Sequence, residues 1–156
     1  MKVLTVWEPW ASLIAIGAKP YEFRGHKPPS SYVGQRIAIH AGARKVVRKE
    51  VEQLVVILGS RRAWTTCLVP EMAEPFLSRL LRANCATHSL GHILCTATLG
   101  AARDGHDIAA EFGGPVNDSD RTEQANFGWP LIDIEPVIPP VPHRGMQGWS
   151  DWGGNG

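Results

Sequence analysis

The apolar positions of this chain change their period several times, and each change marks an element. Lys2 to Val6 is rich in β-forming residues and stops just before Trp7, as a first strand would. Trp10, Leu13, Ile14 and Gly17 then recur at i, i+3, i+4 and i+7, the stripe of a helix that buries one face. Pro9 suits the first helical position, because the N–H it lacks has no intrahelical partner there. Gly17 favours the left-handed turn that closes a helix and Pro20 forbids continuation, so the helix is expected over 9–17, with Lys19 held in a tight turn. Tyr21 to Arg24 reads as a short strand whose alternation puts Glu22 and Arg24 on one face. A loop with the sequence GHKPPSSYVGQ follows and is expected to cross the mouth of a site, carrying His26 and Lys27.

Arg36 to Ala41 is the next strand, with Ile37 and Ile39 on one face and Arg36, Ala38 and His40 on the other. Val46, Val47, Val51, Leu54, Val55 and Leu58 form a helical stripe over 43–58, closed at Gly59, and a further helix begins near Pro70 or Pro75 and ends near Ala83. Gly91 to Ala102 is a long strand, apolar enough on both faces to be a barrel wall covered by a helix. Residues 103–126 are rich in Asp, Glu, Gly and Asn and read as a long acidic loop or lid, with a short helix around Ile108 to Phe112. Phe127 to Ile134 is a returning strand that carries Trp129. Pro136 to Pro142 reads as extended polyproline-like chain. The domain is expected to occupy 1–150, with 151–156 a frayed C-terminal tail.

At 156 residues the chain is long enough for one sizeable core and too short for two ordinary domains. Its net charge of +1 hides an asymmetry: residues 1–62 carry eleven Lys and Arg against four Asp and Glu, and residues 63–156 carry five against eleven. A basic half suits a locally anionic partner, while the near-neutral total argues against strong, uniform nucleic-acid binding. Cys67, Cys85 and Cys95 are odd in number and lack a C-x-x-C, which points to a reducing compartment. His88, His92 and Cys95 have ligand-like spacing, but strand-like sequence after Gly91 keeps them off one helical face, so neither metal nor other cofactor is expected. No apolar run reaches signal or membrane-spanning length. The expected location is the cytoplasm, with no membrane and no obligate protein partner.

Lys19, Glu22 and Arg24 gain meaning from their setting. The pattern Gly17-x-Lys19-x-x-Glu22-x-Arg24, following the helix Pro9-Trp10-Ala11-Ser12-Leu13-Ile14, resembles the signature of the ASCH (ASC-1 homology) domain family. Gly34-Gln35-Arg36-Ile37-Ala38-Ile39-His40-Ala41 is similar to that family's next strand, and Gly145-Met146-Gln147-Gly148-Trp149 to its closing motif. The resemblance implies a single α/β (α+β) domain, a PUA-like small mixed β-barrel of about five or six strands flanked by helices. It also implies a cleft suited to RNA or nucleosides and, in some members, hydrolysis of N4-acetylcytidine. On that reading Lys19 and Glu22 are catalytic, and Trp7, Arg24, His40, Trp129 and Arg144 bind an acylated cytidine nucleoside or RNA.

A desolvated lysine serves as base or as oxyanion donor, and a glutamate passes a proton from water to the leaving amine. In the family's small bacterial N4-acetylcytidine amidohydrolase a lysine matches Lys19, but a threonine falls where Glu22 stands, so water is the expected nucleophile here. Three other readings stay open. Trp7, Lys19, Arg24, His40 and Arg144 suit a non-catalytic module that reads a splayed base and its backbone. Lys19, Glu22 and Arg24 also suit a purely structural ion network pinning the first helix to the barrel. A ribonuclease is a third, weakened by the lack of a carboxylate cluster outside 103–126.

Overall fold

The computed structural model describes residues 1–114 and 127–153. Two strands from the first part of the chain lie at its centre, β1 (Lys2–Val6) and β3 (Arg36–Ala41), paired in parallel with Thr5 opposite His40. A parallel pair needs a crossover, and the segment holding α1 (Trp10–Ala15) and β2 (Tyr21–Arg24) supplies it. The remaining strands, β4 (His92–Leu99), β5 (Arg103–Asp104), β6 (Phe127–Pro142) and β7 (Trp149–Asp151), pair antiparallel with their neighbours. The resulting mixed sheet has the order β2-β6-β4-β3-β1-β7, with β5 also on β6.

This is the expected α+β architecture of a small mixed barrel flanked by helices, but among the described residues it is a half-barrel of seven strands. Its last strand, β7, is joined back to β6, the neighbour of the end strand β2, through side chains rather than a backbone ladder. Trp129, paired with Glu22 across the β2–β6 ladder, stacks on Trp149 of β7 with ring centroids 6.1 Å apart and planes 1° from parallel. Tyr32 closes edge-on against Trp149 at 4.9 Å. Aromatic rings of this size bury large apolar areas and favour such offset and edge-on contacts.

α1 sits between two cores. Ala11 and Ile14 join Leu4, Val6, Ile37, Ile39, Ala97 and Leu99 inside the curl, whereas Leu13 packs with α2 (Arg48–Leu58) and α3 (Pro70–Arg82) through Val51, Leu54, Leu58 and Leu77. α2 begins later than its apolar stripe suggests. Val47 is an extended, partly exposed cap residue, and Arg44 and Lys45 are left outside a helix whose first turn contains Glu50. Two cations, Arg48 and Lys49, still open the helix, and Arg48 is paired with Glu52 at 2.8 Å. α3 starts at Pro70 and tolerates Pro75 inside it.

Three expectations are corrected by the structure. Residues 136–142 are not free polyproline chain but the second half of the 16-residue β6, with Cys95 opposite Pro136 and His92 opposite Pro142. β2 covers only Phe127 to Pro130, so the remaining side of β6 is an edge, where prolines are tolerated, and the register shifts absorb the extra residues. Asp151, the first residue of the expected tail, is the last residue of β7. Lys2 and Asp151 form an ion pair of 2.8 Å, and the Trp152 N–H donates to the Met1 carbonyl at 2.9 Å.

The expected acidic lid opens with a strand, β5, and the short helix expected around Ile108 to Phe112 is α4 (Gly105–Glu111), which starts three residues earlier and is capped by the Asp104 carboxylate, which accepts from the His106 N–H at 2.8 Å. The Tyr21 hydroxyl ties α4 to β2, donating to Glu111 at 2.9 Å and accepting from Arg103 at 2.8 Å. Residues 115–126 of the expected lid and 154–156 of the expected tail lie outside the described residues. Among the described residues no helix is long and apolar enough to cross a membrane.

Closure of the seam by stacked rings makes Trp149 a stability determinant. Trp149→Ala should destabilise the fold by about 3 kcal/mol, while Trp149→Phe should recover much of that loss. Urea titration, read as a lowered midpoint at constant slope, measures both.

Candidate functional site

The turn after α1 is held from several sides. Gly17 is left-handed (φ 81°), and the N–H groups of Gly17, Ala18 and Lys19 return to the carbonyls of Ile14 and Leu13. The Val69 N–H donates to Ala18 O at 2.9 Å and the Leu131 N–H to Pro20 O at 2.9 Å, so Lys19 projects from a backbone with little freedom. Its ammonium donates to the Tyr21 carbonyl and pairs with Glu22 Oε2 at 3.0 Å, over the ring of Phe23 at 5.4 Å. The other carboxylate oxygen, Glu22 Oε1, accepts from Arg24 Nε at 3.1 Å. Arg24 also reaches the Thr5 carbonyl at 3.4 Å.

Lys19 and Glu22 are only 7% and 8% exposed, and taking a charge out of water costs several kcal/mol unless it is paired and hydrogen-bonded. One carboxylate between two cations meets that condition and leaves the cluster with a surplus positive charge.

A cleft of about 1070 Å³ opens over this cluster, at the ends of β1 and β3 and beneath the segment 143–148 that joins β6 to β7. Five of the residues selected from sequence line it: Trp7, Glu22, Arg24, His40 and Arg144. Two do not. Lys19 lies behind Glu22, outside the lining, where it holds the carboxylate rather than facing a ligand. Trp129 is 1% exposed and belongs to the seam, although its ring lies 5.9 Å from the Arg24 guanidinium and so supports that side chain from within. The loop after β2 does not cross the cleft mouth. His26 packs edge-on against Trp129 at 5.4 Å, Lys27 lies over Phe127 at 5.7 Å, and no loop residue lines the cleft.

His40 is aimed by a β-bulge. The β3–β4 register shifts between Ile39 and His40, so Ile39 faces Cys95 while His40 faces Ile93. Its Nε2 lies 2.9 Å from the His143 carbonyl and its Nδ1 3.2 Å from Thr5 Oγ1. The His143 carbonyl can only accept, so Nε2 carries a proton and donates to it, and in the neutral ring Nδ1 accepts from the Thr5 hydroxyl. Burial pushes the imidazole pKa below its ordinary value, outweighing the hydrogen bond to His143. Gly145 presses on the same ring: a Cβ there would stand 2.3 Å from His40 Cε1, so no side chain fits without displacing the histidine or the segment.

Sequence reasoning missed several residues of this region. Trp10, Phe23, Met146 and Gln147 also line the cleft. Glu8, 3% exposed, accepts from the Ser12 N–H at 3.0 Å, from Ser12 Oγ at 2.6 Å and from Ser89 Oγ, which fastens the chain before Gly91 to the start of α1. The i, i+4 spacing of Glu8 and Ser12 across a helix start was an available signal for the first contact; nothing local signals Ser89. Cys95 packs in the main core, where burial raises its thiol pKa to about 12.

Fold and site together define a curled mixed sheet that buries a Lys–Glu–Arg cluster under a cleft with an aromatic and cationic mouth. No family model matches the chain, and no curated protein matches it. Among solved structures the chain is similar to one titled as the crystal structure of ASCH from Zymomonas mobilis, with a TM-score of 0.49 and 18% identity, over 96% of this chain and 85% of that one.

Two outcomes follow from the buried charges. Lys19→Met, which leaves Glu22 Oε2 without its cation, should cost about 3 kcal/mol or more, measured by chemical denaturation. For His40 the folded pKa lies below the unfolded one, so between the two values the unfolded chain binds a proton that the folded chain refuses. Stability should fall as pH drops below about 6.5, and the drop should be shallower in His40→Gln, as read from melting temperatures between pH 7 and pH 5.

Proposed function

We propose that this chain is a cytoplasmic hydrolase of the ASCH type that cleaves the N4-acyl amide of acylated cytidine, free or within RNA. The observation that carries the reading is the Glu22–Arg24 pair, an acceptor and a donor 3.1 Å apart that both line the cleft, with Glu22 buttressed from behind by Lys19. Cytosine offers a donor at N4 beside acceptors at N3 and O2, the complement of such a pair. A carboxylate has about four acceptor sites on its two oxygens, so Glu22 retains capacity beyond the bonds to Lys19 and Arg24.

In the proposed reaction Glu22 takes a proton from water while the water oxygen bonds to the acyl carbon. The former carbonyl oxygen gains the negative charge, which a guanidinium N–H of Arg24 stabilises. As the carbon–N4 bond breaks, Glu22 returns the proton to N4, releasing cytidine and a carboxylic acid. Lys19 acts through Glu22: its ammonium is engaged with the carboxylate and the Tyr21 carbonyl, which suits a positioning charge better than a free base. Family resemblance in the motif around Lys19 supports the substrate class, and the water nucleophile follows from glutamate standing in place of threonine.

A non-catalytic RNA-binding reading has one observation in its favour. Arg144 is exposed at the cleft, with no ion pair among the described residues, as a phosphate contact would be. One experiment separates the two. The protein is incubated with N4-acetylcytidine, alone and inside an RNA oligomer, and cytidine is quantified. Turnover is expected, and Glu22→Gln should reduce it by about 10²-fold or more while ligand affinity changes far less. Binding that weakens steeply with salt, without any cytidine released, would replace the hydrolase with the binding module.

A further inference from the structure

Trp7 is 57% exposed, unusual for so large an apolar ring, yet it is not loosely held. The Arg44 guanidinium lies over the indole, 4.5 Å from the ring centroid, and is itself fixed by Glu50 at 2.8 Å from the first turn of α2. Gly42 abuts the indole edge, since a Cβ there would stand 3.1 Å from Trp7 Cδ1. Trp7, Gly42 and Ala43 line the cleft, whereas Arg44 does not. Arg44 thus stacks on the indole without itself lining the cleft that Trp7 lines.

We infer that Arg44 is a positioning residue which, held by Glu50, sets Trp7 as a one-sided stacking plate for a planar base entering the cleft. The inference rests on the base-binding part of the proposed function and is independent of hydrolysis. An exposed indole attached at a strand end samples several rotamers, and ordering it on binding costs free energy. A guanidinium stacked on the back of the ring and anchored at its far end removes that freedom beforehand. The same stacking leaves a single face for the ligand, so the base enters in one plane and its edge is directed toward the Glu22–Arg24 pair rather than toward solvent. Arginine suits this role because its planar fork stacks on the ring while its N–H groups hold Glu50; a lysine ammonium does the second without the first.

The test uses cytidine, which cannot be hydrolysed and carries no phosphate, with affinity measured by calorimetric titration of the full chain. Trp7→Ala should weaken binding about tenfold or more, as loss of a base-stacking ring does. Arg44→Ala should weaken it by about three- to fivefold, the range of an exposed cation–π contact, with Glu50→Gln in the same direction and Arg44→Lys only partly restoring affinity. In the Trp7→Ala background Arg44→Ala should change nothing further, because the arginine acts only through the ring. With N4-acetylcytidine, Arg44→Ala should raise KM by the same factor and leave kcat unchanged, which separates positioning from general damage.

Unaltered cytidine affinity in Arg44→Ala, or a loss of equal size that persists in Trp7→Ala, overturns the inference. Cytidine binding with the predicted coupling but no cleavage of N4-acetylcytidine overturns hydrolysis and leaves the plate standing. Failure of the wild type to bind either nucleoside overturns both.

Discussion

A carboxylate buried at the floor of an open cleft sets the terms for this molecule. Glu22 is nearly inaccessible, and such a group is compatible with folding only if its oxygens are paired or hydrogen-bonded; here a cation reaches each of them. The two cations come from different places: Lys19 from a turn fixed by Gly17 and Pro20, Arg24 from the same strand two residues on. Arg24 also touches the β1 backbone, and Trp129 lies against its guanidinium. The cluster thus joins the end of α1, the edge strand β2 and the central β1. It has a chemical consequence as well, because a carboxylate held rigidly between two positive groups is an acceptor of fixed direction in a site of net positive charge.

The incomplete closure of the sheet explains where the cleft is. A closed barrel would hydrogen-bond β2 to β7; here the long β6 carries the chain from the β2 edge along one side of β4 to its first residue, His92, and 143–148 must cross back over the ends of β1 and β3 before β7 begins. That crossing makes one wall of the cleft, and it is anchored where His143 meets His40 and where Gly145 lies on the imidazole. The bulge in β3–β4 turns His40 to receive it.

Tryptophan serves different physical ends along this chain. Trp129 and Trp149 fill the seam between β6 and β7, Trp10 bridges the two cores on α1, and Trp152 packs on the opposite face of the sheet with Val3 and Ala38. Trp7 alone of these is largely exposed, and the charge stacked on it shows that exposure here does not mean freedom.

Much of the site was legible in the sequence because its decisive spacings are local. The face of α1 at Trp10, Leu13 and Ile14, the stop at Gly17 and the alternation of Glu22 with Arg24 depend only on helix and strand periods and appear in the structure, although α1 spans Trp10–Ala15 rather than 9–17, with Pro9 as its cap. Helix starts and strand ends were less legible: α2 begins at Arg48 rather than with its apolar stripe, and the unpaired edge beside β6 admits prolines into a strand. Whether a side chain faces the cleft or stands behind it was decided by tertiary structure alone. Lys19 and Trp129 have the composition of ligand contacts but are turned inward by partners from other elements. The three residues of β7 are too few to carry a period, and they become a strand only because the N-terminal strand offers an unpaired edge. Gly145 is fixed by an imidazole more than a hundred residues away in the chain. A sequence period records what each residue's near neighbours do, whereas burial, pairing and aim come from surfaces that meet only after the chain has folded.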